Sequence, residues 1–113
     1  MCSQKELSQV LYETRVGLSG IFGDRLEDLV LYGSYAKGTQ DDESDIDVMA
    51  LVRLSREDLA NYRRQVSDFS SKLDLKYNVL LSIVLQDMDS FTQYKDISPF
   101  YRNVLKEGIS YVQ

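Results

Sequence analysis

The sequence predicts an α/β (α+β) fold in which a small mixed or antiparallel sheet of three to four strands packs against helices. Short apolar runs bounded by turn residues indicate the strands. The segments between these runs repeat apolar residues at steps of three and four, which is the period of an amphipathic helix. Residues 1–113 are expected to form a single domain, because 43% hydrophobic and 11% aromatic residues are enough for one core.

The first half of the chain is predicted to contain one long helix followed by two strands. Apolar residues recur at helical spacing over Leu7–Phe22, and Gly23 is expected to end this helix. The apolar run Leu29–Tyr32 is the first predicted strand, and it stops at Gly33. The second strand is the apolar run Val48–Val52, which two aspartates open. The two strands are expected to run antiparallel, with helices packed on one face of the sheet, because Gly33 and Asp45 must meet one ligand across an eleven-residue connection.

The second half is predicted to alternate helices with strands. Ser55 and Asp58 resemble a capping box at the start of a helix that continues through Leu73. The apolar run Tyr77–Leu85 reads as a buried third strand. Cap residues from Asp87 predict a short helix through about Tyr94, and Ser98 with Pro99 predicts a helix that Gly108 ends. The segment 109–112 is expected to add an edge strand or to dock on a neighbour.

Two acidic residues at the start of the second strand form the candidate metal site. Side chains alternate along a strand, so Asp45 and Asp47 project to one side, roughly 6 to 7 Å apart, while Ile46 points into the core. Two carboxylates this close repel each other unless a cation or a proton neutralises them. Hard oxygen ligands suit Mg²⁺, which commonly completes its shell with substrate phosphates. Asp45 and Asp47 are therefore the predicted catalytic and metal-binding residues.

The end of the first strand carries the candidate phosphate site. Gly33 offers a turn without a Cβ, and a helix beginning at Tyr35 would direct the N–H groups of its first turn to the same place. Ser34 can add its hydroxyl, and Lys37 can reach the same phosphate with its charge. We predict Gly33, Ser34 and Lys37 as nucleotide-binding residues, although an ordinary exposed lysine is the alternative for Lys37.

Other acidic residues are better explained as solvated surface. Asp41, Asp42 and Glu43 read as a charged loop, because nothing in the sequence fixes their direction. Asp45 and Asp47 could likewise form a solvated strand face. Aspartate is disfavoured in strands, however, and a pair at alternate positions before an apolar run favours a ligand.

Composition excludes several function classes. Thirteen basic and eighteen acidic residues give a net charge of −5, which disfavours a protein that binds nucleic acid generically through its phosphates. No apolar run is long enough to span a membrane, and no signal peptide is evident, so we expect a cytoplasmic protein. Cys2 is the only cysteine and histidine is absent, which rules out an internal disulfide and the usual Cys/His zinc site.

The segments Gly33–Thr39 and Ser44–Val48 resemble the signature of the DNA polymerase beta type nucleotidyltransferase superfamily. The Gly-Ser pair, a ten-residue spacer and Asp-x-Asp are specific only in combination. Within the superfamily the chain looks like the minimal nucleotidyltransferases of bacteria and archaea. The resemblance implies the nucleotidyltransferase fold and Mg²⁺-dependent transfer of a nucleoside monophosphate to a hydroxyl, with ATP as the expected donor of AMP.

The resemblance also implies a partner. Minimal nucleotidyltransferases are often the antitoxin of a pair with a HEPN-family toxin, and they can transfer AMP to a tyrosine of that toxin. Members of the superfamily commonly carry a third carboxylate on the next strand, where this chain has Ser82. Two functions therefore stay open: an active nucleotidyltransferase, or a weak or inactive binding module that neutralises its partner by forming a complex. The oligomeric state is open too, a homo-oligomer included.

Overall fold

The computed structural model describes residues 3–40 and 45–111. In chain order its elements are α1 (Gln4–Phe22), β1 (Leu26–Tyr32), α2 (Ser34–Lys37), β2 (Ile46–Val52), α3 (Arg56–Ala60), α4 (Arg63–Tyr77), β3 (Leu81–Asp87), α5 (Met88–Tyr94), α6 (Pro99–Glu107) and β4 (Ile109–Ser110). A 3₁₀ turn at Gly23–Arg25 joins α1 to β1. The expectations for Cys2 and for the acidic run 41–43 lie outside the described residues.

The four strands form one mixed sheet in the order β3-β2-β1-β4. β1 pairs antiparallel with β2 and with β4, and β2 pairs parallel with β3. The antiparallel β1–β2 pair lets the end of one strand and the start of the next meet at one edge. A parallel pair needs a long crossover, which α3 and α4 provide between β2 and β3. The predicted α/β class and mixed sheet are confirmed.

Helices cover both faces of the sheet, so the expectation that they pack on one face is wrong. α1, α3 and α4 bury the larger core cluster, whereas α5 and α6 bury a second cluster on the opposite face. The cause lies in the two inner strands. The consecutive residues Val48–Val52 are all buried, so apolar side chains project from both faces and each face needs a cover.

The predicted helix from Ser55 to Leu73 is in fact two helices. Ser55 caps the first of them, α3, and its hydroxyl accepts the N–H of Asp58 at 3.1 Å, as expected for a capping residue. The chain turns at Asn61 and Tyr62 before α4 begins. The buried stripe of α4 is Val66, Ser70 and Leu73.

The third strand begins four residues later than predicted. Tyr77 belongs to α4, and the helix ends where Asn78 adopts the left-handed conformation with a φ of 54°. Asparagine tolerates this conformation better than most residues. The local β preference of Tyr77–Leu85 therefore yields to the helical packing of α4, and β3 starts at Leu81.

The caps predicted for the last two helices are confirmed. The carboxylate of Asp87 accepts the N–H of Ser90 at 2.9 Å at the start of α5. Ser98 caps α6, and Pro99 is its first residue. In the described part of the chain, no helix has the length and apolar character to cross a membrane.

Candidate active site

The register of β1 and β2 brings the Gly33–Ser34 turn and the pair Asp45 and Asp47 to one end of the strand pair, here called the corner. Asp47 lies directly opposite Tyr32, the residue before Gly33. Asp45 precedes β2 by one residue, so it lies on the same side as Asp47, and Ile46 between them is only 1% exposed in the core. The sequence prediction that these residues meet is confirmed, while their chemical roles stay a prediction.

The carboxylate of Asp47 lies close to the backbone of Gly33. A Cβ added to Gly33 would lie 2.6 Å from Oδ2 of Asp47. Gly33 also has a φ of 76° and a ψ of −155°, a combination that is essentially restricted to glycine. The absence of a side chain therefore permits both the turn and the approach of the carboxylate to the backbone.

A single helical turn, α2, follows Gly33 directly and begins with Ser34. The carbonyl oxygen of Gly33 accepts the N–H groups of Ala36 and Lys37, both at 3.1 Å. Tyr35 is buried in the larger core, so the turn is anchored from below. α2 begins at Ser34, one residue before the predicted start at Tyr35.

The electrostatics of the corner favour a cation. Burial raises the pKa of Asp47 above its ordinary value, and the neighbouring charge of Asp45 raises it further. Burial also raises the pKa of Tyr32, with a smaller contribution from the charge of Asp47. Burial is the larger cause of both shifts, and the like charges of Asp45 and Asp47 add to the shift of Asp47. A divalent cation would relieve this repulsion, which fits the chemistry of two hard carboxylate ligands.

Lys37 lies beside the corner but is engaged elsewhere. Its ammonium forms an ion pair with Glu107 of α6, with Nζ and Oε2 3.1 Å apart. The Lys37 side chain is about half exposed and the Glu107 side chain about one-third exposed, so solvent screens the pair and its energy is small. Lys37 must exchange Glu107 for a phosphate if it contacts a nucleotide.

Ser82 lies at the position where the third carboxylate was expected, on the strand next to Asp47. Ser82 of β3 is directly across from Asp47 in the parallel pair, and partners in such a pair share a face. The nearby acids are occupied: Asp74 accepts the N–H of Leu81 at 2.8 Å, and Asp87 caps α5. Within residues 3–40 and 45–111, no three His, Cys, Asp or Glu side chains come together as metal ligands.

No pattern in the sequence indicated that α6 forms one side of the site. A cleft of about 170 Å³ opens beside the corner, and its lining residues are Tyr32, Gly33, Lys37, Phe100, Asn103, Val104 and Glu107. Phe100 is 42% exposed and meets the ring of Tyr32 edge-on at 5.5 Å. Gly33 and Lys37 were predicted, and of the other lining residues only Tyr32 had a detectable signal, because it ends the strand immediately before Gly33.

The raised pKa of Asp47 gives a testable link between pH and stability. Because its folded-state pKa lies above the unfolded value, ionisation of Asp47 destabilises the fold as pH rises through that pKa. We expect Asp47→Asn to raise the melting temperature by a few degrees at neutral pH without divalent cations, and to have no such effect near pH 3. Thermal unfolding followed by circular dichroism in a chelator tests this. Asp68→Asn, at an exposed position on α4, should show no pH-dependent gain.

Comparisons with known proteins identify the family to which the chain belongs. Residues 17–111 match the nucleotidyltransferase domain family. A "putative protein adenylyltransferase" of Methanocaldococcus jannaschii is 31% identical over 91 residues, which cover 80% of this chain and 90% of that protein.

Two crystal structures share the fold at lower identity. A "putative nucleotidyltransferase" from Sulfolobus solfataricus has a TM-score of 0.59 at 19% identity, covering 96% of this chain and 83% of its own. A toxin–antitoxin structure with AMP-PNP has a TM-score of 0.53 at 23% identity, covering 86% of this chain and 68% of its own. With its fold, its paired aspartates and its match over most of its length, the chain belongs to the nucleotidyltransferase domain family and is a nucleotidyltransferase enzyme.

Proposed function

We propose that the protein transfers AMP from ATP to a hydroxyl of a partner protein in a Mg²⁺-dependent reaction. The observation that carries this proposal is the contact of Asp47 with the glycine of the Gly33–Ser34 corner, with Asp45 on the same side. This arrangement presents two carboxylates and a phosphate-binding turn to the same small volume. A nucleoside triphosphate carries the complementary groups, because its phosphates can share a cation with the carboxylates.

Asp45 and Asp47 would hold the Mg²⁺. The fit rests on the donor set, because two hard carboxylates on one side of β2 lie beside the Gly33 turn. The pKa of Asp47, raised by burial and further by the charge of Asp45, agrees with a cation there. When bound, the ion supplies positive charge that offsets the charge of the triphosphate and of the departing pyrophosphate.

The residues of the chain orient the nucleotide. Gly33 leaves room at the turn, Ser34 offers a hydroxyl to a phosphate oxygen, and Lys37 adds a charge once it leaves Glu107. The acceptor hydroxyl attacks the α-phosphorus, a new P–O bond forms, and the bond to the bridging oxygen breaks to release pyrophosphate. The hydroxyl loses its proton as the P–O bond forms, and because the chain has no histidine, a carboxylate or solvent accepts that proton. Catalysis then rests on positioning and charge neutralisation.

A protein is the favoured acceptor. The relative from Methanocaldococcus jannaschii carries the name of a protein adenylyltransferase, and a neighbour in structure is a toxin–antitoxin complex. The net charge of −5 argues against a nucleic-acid acceptor. We therefore propose a cytoplasmic antitoxin whose target is a toxin of the HEPN type, modified on a hydroxyl side chain.

A second function is favoured by one observation. Ser82 occupies the position opposite Asp47 where a further carboxylate would help to activate the attacking hydroxyl. If turnover is weak for this reason, the protein neutralises its partner by forming a complex and binds the nucleotide without transferring it.

One labelling experiment separates the two functions. The protein is incubated with Mg²⁺, the product of the adjacent gene and ATP labelled at the α-phosphorus, and parallel samples contain γ-labelled ATP or a chelator. Transfer of the α-label alone, lost in the chelator, supports the adenylyltransferase. A stable complex that takes up no label supports the binding module. Labelling from γ-labelled ATP, or neither label nor complex with that partner, contradicts the proposal.

A further inference from the structure

β3 is an edge strand whose outer backbone groups are only partly covered. In the parallel pair with β2, the N–H of Ile46 donates to the carbonyl of Leu80 at 2.8 Å. In such a pair every second residue of a strand bonds to the neighbouring strand through both its N–H and its carbonyl. Even-numbered residues of β3 therefore direct their backbone groups to β2. The N–H and carbonyl groups of Leu81, Ile83 and Leu85 point away from the sheet.

α4 covers only the first of these three residues. The N–H of Leu81 donates to Asp74 at 2.8 Å, and its carbonyl accepts the hydroxyl of Ser70 at 2.8 Å. In the described part of the chain no comparable side chain reaches Ile83 or Leu85. These two residues instead line an open groove of about 540 Å³ between β3 and α4.

The exposed edge lacks the usual protection against strand pairing. The run Leu81–Gln86 contains no charged residue and no proline, and its register with β2 is continuous. Natural edge strands are commonly guarded by charges, prolines or bulges. Leu75 and Leu80, the sequence neighbours of the groove residues Asp74 and Leu81, are 87% and 62% exposed. A strand from another molecule would cover this edge.

The charges along the groove indicate which molecule covers it. α4 leads back into β3 through a short turn, so the helix and the strand run in opposite directions. Arg63 lines one end of the groove and Asp74 the other, with the small residues Ser67 and Ser71 between them. A two-fold axis perpendicular to the sheet exchanges these two ends. Arg63 of each copy then lies beside Asp74 of the other copy, and the two-fold symmetry forms this contact twice.

We propose that a second copy of this chain pairs with β3 in an antiparallel register centred on Val84. In that register Ile83 lies opposite Leu85 of the other copy, and both residues carry the outward backbone groups that such a pair needs. The serines let the two α4 helices approach, and Arg63 meets Asp74 of the other copy. The product is a dimer with a continuous eight-stranded sheet, and it leaves Asp45 and Asp47 outside the interface. The inference does not depend on the proposed reaction.

Sedimentation equilibrium over a concentration series tests the pairing. The wild-type protein is expected to be a dimer of the 13.0 kDa chain. Ile83→Pro removes an outward N–H without touching the bonds to β2, and Arg63→Asp places like charges at both ends of the groove. Each variant should raise the dimer dissociation constant at least about tenfold, which is a change that the concentration series resolves. Circular dichroism checks that both variants are folded.

Arg64→Asp is the matched control, because it makes the same charge change on the same helix at a residue that does not line the groove. It should dimerise like the wild type. A monomeric wild type at every concentration would overturn the proposal, as would a dimer that tolerates Arg63→Asp and Ile83→Pro. A monomeric wild type whose binding to another protein is abolished by Ile83→Pro would assign the edge to that protein and would likewise overturn self-pairing.

Discussion

Asp45→Asn and Asp47→Asn are each expected to lower the rate of AMP transfer at least about 100-fold. An asparagine keeps the size of the side chain but removes the negative charge that would hold the cation. Charge neutralisation by a metal ion contributes several kcal/mol to a transition state, and each 1.36 kcal/mol lost costs about a factor of ten in rate. Steady-state transfer of label from α-labelled ATP measures the loss.

The controls separate chemistry from folding. Asp47→Asn should melt no lower than the wild type, because its ionised carboxylate is destabilising in the folded protein. Asp68→Asn, at the exposed position on α4, should transfer label at the wild-type rate. If either Asp45→Asn or Asp47→Asn transfers label as fast as the wild type, that carboxylate has no part in the mechanism.

Gly33→Ala is expected to impair both stability and transfer. Alanine at Gly33 would have to adopt a backbone conformation that costs about 1 to 3 kcal/mol for residues other than glycine. Its Cβ would also meet Oδ2 of Asp47 at 2.6 Å, so the carboxylate must move away from the corner. Urea unfolding should show the lower free energy of unfolding, and the labelling assay should show a loss of transfer.

Gly20→Ala is the matched control for Gly33→Ala. Gly20 lies in α1, and a Cβ there would have no neighbour within 4 Å. Alanine has the higher helix propensity, so this variant should be more stable by up to about 1 kcal/mol and should transfer label normally. Wild-type stability and wild-type transfer in Gly33→Ala would show that the close approach of Asp47 to the backbone is dispensable.

The corner of the site was predictable because its determinants are close together in sequence. The alternation of side chains along one strand is enough to place Asp45 and Asp47 on one side and Ile46 in the core. The short connection between Gly33 and Asp45 then requires β1 and β2 to be antiparallel if both are to contact one ligand. The structure has this arrangement.

The surroundings of the corner were not predictable, because they depend on contacts between distant parts of the chain. The ion pair of Lys37 with Glu107 and the contact of Tyr32 with Phe100 arise only because α6 packs on the same face as the aspartates. No local pattern in the sequence states which face a distant helix covers. The start of β3 was misplaced for a related reason, since the packing of α4 overrides the β preference of the residues around Tyr77.

The most direct test of the account is calorimetric titration of ATP into the protein with and without Mg²⁺. The account predicts saturable binding of one nucleotide in Mg²⁺, little or none in a chelator, and the loss of the Mg²⁺-dependent binding in Asp47→Asn. Equal binding of ATP with and without Mg²⁺, or unchanged Mg²⁺-dependent binding in Asp47→Asn, would contradict the claim that the paired aspartates and the Gly33–Ser34 corner form a site for a metal-bound nucleotide.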